Sequence, residues 1–346
     1  MLKAYWTAPE QLSQGSAAII ALHGCGGLPE DRRSLEYPRS RYVKMLRNAG
    51  AGVLYVDSFG SRGEGSLCAQ KPEQRNITES HRRQDVLGAL QWLATQPGVD
   101  ARRLGVVGWS HGGQTVLLTA NASESVVGDA PVKPAAMVAF YAGCSTYEKF
   151  ARYQAVAPLL IMSGELDNWT PAAPCRRFAQ GLQSGLKPVR YAEFEGSYHA
   201  FDSTSPVRER DDAAGTKTGK AMAGGNPAAR EASAVEMMKF FEMHLGLKPG
   251  ASSTADAAHE AEIPQATGFA ELTNVDGVPH IRDNGRALYR EWLTKPFPRA
   301  VAISSKGAIA RGYGRDAMGV AVRNCEKFNN PCRLYAVDDQ VVWAAP

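Results

Sequence analysis

The sequence has no apolar run close to the roughly 20 residues that a membrane-spanning helix needs, so no membrane span is expected. The first ten residues, MLKAYWTAPE, lack the apolar core of a signal peptide, although Met1 can stand where such a segment was removed. Blocks of Lys and Arg are also missing, because 39 basic and 35 acidic residues are spread along the chain and leave a net charge of +4. We therefore expect no nucleic-acid partner.

The six cysteines contain no C-x-x-C pair, the spacing typical of zinc and redox sites, so no metal site is indicated. Cys325 and Cys332 enclose the short segment EKFNNP, which a local disulfide would close easily. Spacing alone leaves a second interpretation open, in which all six are reduced thiols of a cytoplasmic protein.

Apolar residues make up 44% of the 346 positions, which is enough for an ordinary globular core. Over residues 1–246, short apolar runs that end at Gly, Asp or Ser alternate with stretches that carry an apolar stripe at helical spacing. This alternation predicts an α/β domain with a mostly parallel sheet flanked by helices. The predicted strands are AAIIALHG (17–24), AGVLYVDSF (51–59), RLGVVGWS (103–110), AAMVAFYAG (135–143), PLLIMSGELD (158–167) and VRYAEFEG (189–196).

The composition changes after this domain. Residues 247–266 are poor in large apolar side chains and rich in Ala, Ser and Gly, which is typical of a linker. Residues 267–346 are predicted to form a small α+β unit of unknown role, with RAVAIS as a strand, DAMGVAVRNCEKF as a helix and CRLYAVDDQVVW as a strand or hairpin. A further polar stretch, 208–231, is expected to be a long surface loop.

The segment GWSHGG places Ser110 between two glycines, after the apolar run RLGVV and before the helical run QTVLLTAN. A sharp strand-to-helix turn of this kind is where a nucleophile elbow sits, and small neighbours let strand and helix approach while the hydroxyl is exposed. The N-terminus of the helix also offers free N–H groups to a developing oxyanion. Ser110 is therefore predicted to be a nucleophile.

A serine nucleophile needs a histidine within hydrogen-bond reach and a carboxylate to orient it. Of the seven histidines, His199 in SYHAFD follows the last predicted strand, as the base of this type of site does. The acid is expected between the two in sequence, at the end of a strand, where Glu165 and Asp167 are the candidates. Asp167 is preferred because it stands at the polar tip of its loop after a glycine. The predicted triad is Ser110, Asp167 and His199.

The loop LHGCGGL is expected to supply the second oxyanion donor, so the backbone N–H groups of Cys25 and His111 are the predicted oxyanion hole. Arg62 follows a strand and is a candidate to bind a substrate carboxylate, with a surface role as the alternative. Trp109 and Trp169 flank the nucleophile and the acid. They are candidates to bind an apolar acyl group, with packing as the alternative.

The segments HGCGGL, YVDSFGSRG, GWSHGG, GELDNWTP and SYHAFD occur in this order over residues 1–245 and resemble the dienelactone hydrolase family of α/β hydrolases. The resemblance implies a sheet of the eight-stranded type, without one or two N-terminal strands, and hydrolysis of esters or lactones through an acyl-enzyme. The best-known members carry cysteine where this chain has Ser110. A broader carboxylesterase is therefore favoured over an enzyme for dienelactone itself.

Family members with a similar GC after a strand and TPAAPC after the acid suggest that Cys144 and Cys175 lie close together. Cys25 and Cys68 both follow strands at the edge of the cleft and are expected to meet as well. With the local pair near the C-terminus, this gives three disulfides. Such a set favours a periplasmic or secreted protein, with the cytoplasm as the alternative.

The sequence thus predicts a serine hydrolase that cleaves small carboxylic esters or lactones and needs no metal or cofactor. A serine peptidase or an acyltransferase would use the same triad and differ in the pocket and the acceptor. A noncatalytic binding protein on a hydrolase fold is a third alternative, against which the complete triad argues.

Overall fold

The computed structural model describes residues 2–9, 14–28, 40–248, 264, 266–295, 298–313, 317–327 and 330–344. By its internal contacts the chain divides into two compact units, Met1–Ala251 and Ser252–Pro346. Most of the predicted linker, 247–266, lies outside the described residues. Within the described residues, no helix has the length and apolar character needed to cross a membrane.

A seven-stranded sheet forms the centre of the first unit, with the strand order β1-β3-β2-β4-β5-β6-β7. β1 runs antiparallel to β3, whereas all other neighbouring strands are parallel. The mostly parallel sheet and its six predicted strands are confirmed, and one short N-terminal strand is added. The strands are β1 (Lys3–Thr7), β2 (Ser16–Leu22), β3 (Ala51–Asp57), β4 (Val99–Trp109), β5 (Ala136–Phe140), β6 (Leu159–Gly164) and β7 (Val189–Phe194).

Helices cover both faces of this sheet, which explains why its strands are continuous apolar runs. Every residue of β2 is buried. Because side chains alternate along a strand, Ile20 packs in one apolar cluster with Leu90, and Ile19 packs in the opposite cluster with Phe241. The helices are α1 (Ser40–Asn48), α2 (Glu79–Ala94), α3 (His111–Thr119), α4 (Ser125–Gly128), α5 (Ala172–Gly181) and α6 (Pro227–Leu245).

The segment 208–231, expected to be a long surface loop or an insertion before the last helix of the domain, is loop only in part. It contains an antiparallel pair of strands, β8 (Arg208–Arg210) and β9 (Ala221–Ala223), and α6 begins within the predicted loop. Backbone N–H groups of this segment bond to other loops of the same unit. Met222 donates to Oδ1 of Asn168 at 2.8 Å, and Ala214 donates to the carbonyl of Cys68 at 3.2 Å. The segment is therefore packed against neighbouring loops.

The second unit is a four-stranded antiparallel sheet with the order β11-β10-β12-β13 and a helix on each face. The predicted small α+β unit is confirmed. α7 and β11 were not predicted: α7 buries Tyr289 and Trp292 against the sheet, while β11 is half exposed and has no apolar run. The elements are α7 (Asp283–Leu293), β10 (Arg299–Ser304), β11 (Ile309–Tyr313), α8 (Ala317–Glu326), β12 (Cys332–Val337) and β13 (Gln340–Val341).

Candidate active site

Ser110 stands at the turn between β4 and α3, with backbone angles φ 55° and ψ −116°. Its N–H donates to the carbonyl of Phe140 at 2.9 Å, which fixes this uncommon conformation. The flanking glycines are required by close approach: a Cβ atom at Gly108 would lie 2.3 Å from the carbonyl oxygen of Gly112, and one at Gly112 would lie 2.3 Å from that of Leu22. Strand and helix can therefore meet only without these side chains.

The structure brings the three residues of the predicted triad together. His199 Nε2 lies 2.9 Å from Oγ of Ser110, and His199 Nδ1 lies 2.8 Å from Oδ2 of Asp167. The three residues follow β4, β6 and β7, whose carboxyl ends lie at the same edge of the parallel sheet. Glu165, the other candidate acid, is exposed and accepts a hydrogen bond from the N–H of Gly196 at 2.8 Å, so it fastens a loop.

The carboxylate of Asp167 is held by three groups besides His199. The backbone N–H groups of Trp169 and Thr170 donate to its Oδ1 at 2.8 Å, and the hydroxyl of Thr170 donates to its Oδ2 at 2.8 Å. These contacts fix the carboxylate in one orientation towards the histidine. Sequence reasoning missed Thr170, although a threonine three residues after the acid, just before a helix, was visible in DNWT.

A cavity of about 170 Å³ opens at Ser110. Cys25 and His111, whose backbone N–H groups form the predicted oxyanion hole, both line it, and so does Trp169. The ring centroid of Trp169 lies 4.9 Å from that of His199. The cavity therefore lies between Ser110 and the loops from which the oxyanion donors were expected.

All six cysteines are paired, so the three expected disulfides are confirmed. Two of them border the cavity, because Cys25 and Cys144 belong to its lining. The pairs are Cys25–Cys68, Cys144–Cys175 and Cys325–Cys332.

Two of the residues proposed to bind substrate are placed elsewhere. The guanidinium of Arg62 forms a bidentate ion pair with Asp85 at 2.8 and 2.9 Å, which raises its pKa and leaves it outside the cavity lining. Trp109 is buried and stacks on Phe140, with ring centroids 5.5 Å apart. Trp109 belongs to the apolar cluster that contains Phe241 and is not part of the cavity lining. The structure therefore brings neither side chain to the cavity lining, which favours the alternatives of a structural role for Arg62 and packing for Trp109.

Arg75 lines the cavity instead, and nothing in its sequence context indicated this. Its Nε donates to the carbonyl of Gln70 at 3.1 Å, and burial lowers the pKa of its guanidinium. An arginine remains charged under such a shift at neutral pH. The cavity wall thus carries a positive charge.

The imidazole of His111 is buried next to the nucleophile and points away from it, towards α2. Its Nδ1 lies 2.6 Å from Nη1 of Arg82, and its Nε2 lies 3.5 Å from Oε1 of Glu79. Burial, and next the charge of Arg82, lower the pKa of His111 well below its ordinary value. This histidine is therefore neutral and does not contact the hydroxyl of Ser110.

The parallel sheet, with its sharp turn at Ser110 between β4 and α3, defines an α/β hydrolase. The dienelactone hydrolase family matches residues 64–245, more than half of the chain. The chain belongs to that family.

The relatives fit this assignment. A protein of a Bradyrhizobium species named probable 2-oxo-3-(5-oxofuran-2-ylidene)propanoate lactonase is 27% identical over an alignment of 173 positions. The match covers 45% of this chain and 64% of the relative, so the chain spans less than two thirds of that protein's length. Esterase 2 of Thermogutta terrifontis, solved with propionate bound and also phosphoramylated by tabun, superposes with a TM-score of 0.50 in both structures. In both comparisons the sequences are 17% identical, and the superposition covers 71% of this chain and 90% of the esterase chain. At this identity the likeness shows the fold alone.

Proposed function

We propose that the protein is a serine hydrolase that cleaves small carboxylic esters or lactones through an acyl-enzyme on Ser110. The observation that carries the proposal is the unbroken chain of contacts from Ser110 through His199 to Asp167, at 2.9 and 2.8 Å. Membership of the dienelactone hydrolase family supports the reaction class, as does the name of the lactonase relative.

In the proposed reaction, the carboxylate of Asp167 accepts the Nδ1–H of His199, so that Nε2 is free to accept the proton of Ser110. The serine oxygen attacks the carbonyl carbon, and the protonated histidine then gives its proton to the leaving alkoxide. Water next attacks the acyl-enzyme while His199 takes one of its protons. Transfer of that proton to Ser110 as the acyl bond breaks restores the enzyme and releases the acid.

The tetrahedral intermediates carry a negative oxygen, for which the backbone N–H groups of Cys25 and His111 are the proposed donors. His111 is the first residue of α3, where N–H groups lack partners within the helix and the positive end of the helix dipole lies. Preorganised donors of this kind provide much of the stabilisation in acyl transfer.

The cavity suggests a short substrate with an anionic group. A volume of about 170 Å³ suits a small acyl or lactone ring, and Trp169 offers an apolar wall beside His199. The sequence suggested Arg62 as the residue that binds a substrate carboxylate. We assign this role to Arg75, because Arg75 lines the cavity and Arg62 does not. The lactonase relative is named for a propanoate, which is itself an anion.

Labelling with a fluorophosphonate tests the nucleophile. We expect one adduct on Ser110 of the wild-type protein, found by peptide mass, together with hydrolysis of p-nitrophenyl acetate. Ser110→Ala should lose both, and His199→Ala should lose at least about 10³-fold in kcat/KM because triad members act as a unit. Ser145→Ala, which removes another hydroxyl of the cavity wall, is the control and should still be labelled. Full esterase activity in Ser110→Ala would refute the proposal.

The three disulfides further support our proposal of an oxidising compartment, the periplasm or the outside of the cell. Thiol titration of the denatured, unreduced protein purified from its native compartment is the test. We expect no free thiol. Six free thiols would rule out this location.

A further inference from the structure

Arg82 is an arginine of α2 whose side chain has no exposed surface. A buried charge is costly unless fixed partners satisfy it. Its Nη2 donates to the backbone carbonyl of His23 at 2.7 Å. Its Nη1 donates to Nδ1 of His111 at 2.6 Å, and a guanidinium has no acceptor, so the imidazole must accept. The guanidinium also lies 5.1 Å from the ring centroid of Phe59.

The two hydrogen-bond partners belong to the two halves of the proposed oxyanion hole. His23 stands two residues before Cys25 in one loop, and His111 directly follows the nucleophile in the other. Phe59 fills the space between them, because its ring centroid lies 4.5 Å from that of His23 and 5.7 Å from that of His111. One planar cation therefore ties together both segments whose N–H groups must face the same oxygen.

We infer that Arg82 is a positioning residue that sets the separation of the Cys25 and His111 backbone N–H groups for the oxyanion. The inference rests on the proposed function. Arg82 does not line the cavity, so it acts through its partners and not on the substrate. Lysine would not replace it, since a single ammonium group lacks the rigid fork that reaches two acceptors held apart.

The neutral state of His111 fits this role. Its pKa is lowered by burial and by Arg82, which leaves Nδ1 free to accept, while Nε2 faces Glu79 at 3.5 Å. Arg82 thus fixes the imidazole at Nδ1, and through this side chain it restrains the backbone of His111.

The test compares Arg82→Met and Arg82→Lys with the wild-type protein, using p-nitrophenyl acetate and a trifluoromethyl ketone inhibitor. Rates are expressed per active serine, counted by complete fluorophosphonate labelling. We expect kcat/KM of Arg82→Met to fall about 10- to 100-fold through kcat, with KM changed less than about twofold, because a displaced donor costs less than the removal of one. Affinity for the ketone, whose adduct places an oxyanion in the same hole, should fall by a similar factor. Arg82→Lys should lie in between.

Arg103→Met is the matched control for loss of a structural arginine. Arg103 donates to three backbone carbonyls, those of Leu245 at 2.7 Å, Gly246 at 2.8 Å and Gly15 at 2.5 Å, which lie at the end of α6 and just before β2. We expect this variant to have a lower melting temperature and an unchanged kcat per active serine.

The outcomes separate the two proposals. If the wild-type protein is active and Arg82→Met keeps its kcat and ketone affinity per active serine, the inference is overturned and Arg82 is a stabilising residue only. If Arg82→Met does not fold, the same two readouts on Arg82→Lys decide. A wild-type protein that neither hydrolyses esters nor is labelled on Ser110 overturns the proposed function, and the role of Arg82 with it.

Discussion

The hydroxyl of Thr170 donates to Oδ2 of Asp167 at 2.8 Å, and the same carboxylate oxygen lies 2.8 Å from Nδ1 of His199. The hydroxyl oxygen is also 2.9 Å from the carbonyl oxygen of Tyr141, which follows β5. Because a hydroxyl has one proton, Thr170 can donate to only one of these two acceptors at a time. We therefore expect the hydroxyl of Thr170 to contribute to the orientation of Asp167 towards His199.

Thr170→Val keeps the shape of the side chain and removes its hydroxyl. We expect kcat to fall about tenfold, because a hydrogen bond to a charged group contributes about 1.5–3 kcal/mol and part of that fixes the carboxylate. Steady-state kinetics with p-nitrophenyl acetate measure the effect. Thr119→Val is the control, since that buried hydroxyl donates to the carbonyl of Thr115 within α3. Equal rates in the two variants would show that Thr170 does not orient the triad.

Arg75→Met should weaken hydrolysis of esters that carry a carboxylate and leave neutral esters of the same size nearly unaffected. We expect kcat/KM for the anionic ester to fall about tenfold or more, because a charge-assisted contact in a partly buried site is lost. Arg62→Met is the matched control, since its guanidinium is already paired with Asp85 outside the cavity lining. The same selectivity in both variants would exclude Arg75 as the anion site.

Removal of the disulfide between Cys25 and Cys68 should affect both stability and rate. The bond closes a loop with a sequence separation of 43, for which chain entropy predicts a loss of about 4 kcal/mol in the free energy of unfolding. Because Cys25 lines the cavity, kcat of the double serine variant should fall as well.

The double serine variant of Cys325 and Cys332 is the comparison, since that pair belongs to the second compact unit. Urea unfolding and kcat are measured for both variants. We expect kcat to remain at the wild-type value in this second variant. A wild-type kcat in the Cys25 and Cys68 variant would count against the oxyanion role of the Cys25 loop.

The buried imidazole of His111 predicts a loss of stability in acid. Its pKa in the folded protein is lowered well below the ordinary 6.5, first by burial and then by Arg82 and Arg75. The unfolded chain therefore binds a proton more readily. The stabilising contribution is complete above about pH 6.5 and is lost as the pH falls from there through the folded-state pKa.

Urea unfolding at about pH 8 and about pH 5 measures this contribution. The difference in unfolding free energy between the two pH values should be smaller in His111→Gln than in the wild-type protein. His81→Gln, which changes an exposed histidine, should keep the wild-type difference. An unchanged difference in His111→Gln would mean that another group causes the acid sensitivity.

Features that depend on neighbouring residues could be predicted from the sequence. The strands of the first unit are continuous apolar runs because both faces of the sheet are covered. The turn at Ser110 is encoded by glycines that no other residue can replace without a clash. β1 was missed because it is a five-residue edge strand, half exposed, with no apolar run. Short edge strands carry little of the pattern that identifies buried ones.

Local pattern and chain order were enough to predict the strand segments of the first unit, the turn at Ser110, and Ser110, Asp167 and His199 as candidate site residues. Which arginine lines the cavity depends on the packing of segments that are distant in sequence. Arg62 is paired with an aspartate of α2, and Arg75 reaches the cavity wall. The fold also places Arg82 between two loops that are distant in sequence. The partner of a long side chain depends on packing between distant segments, which no local pattern records.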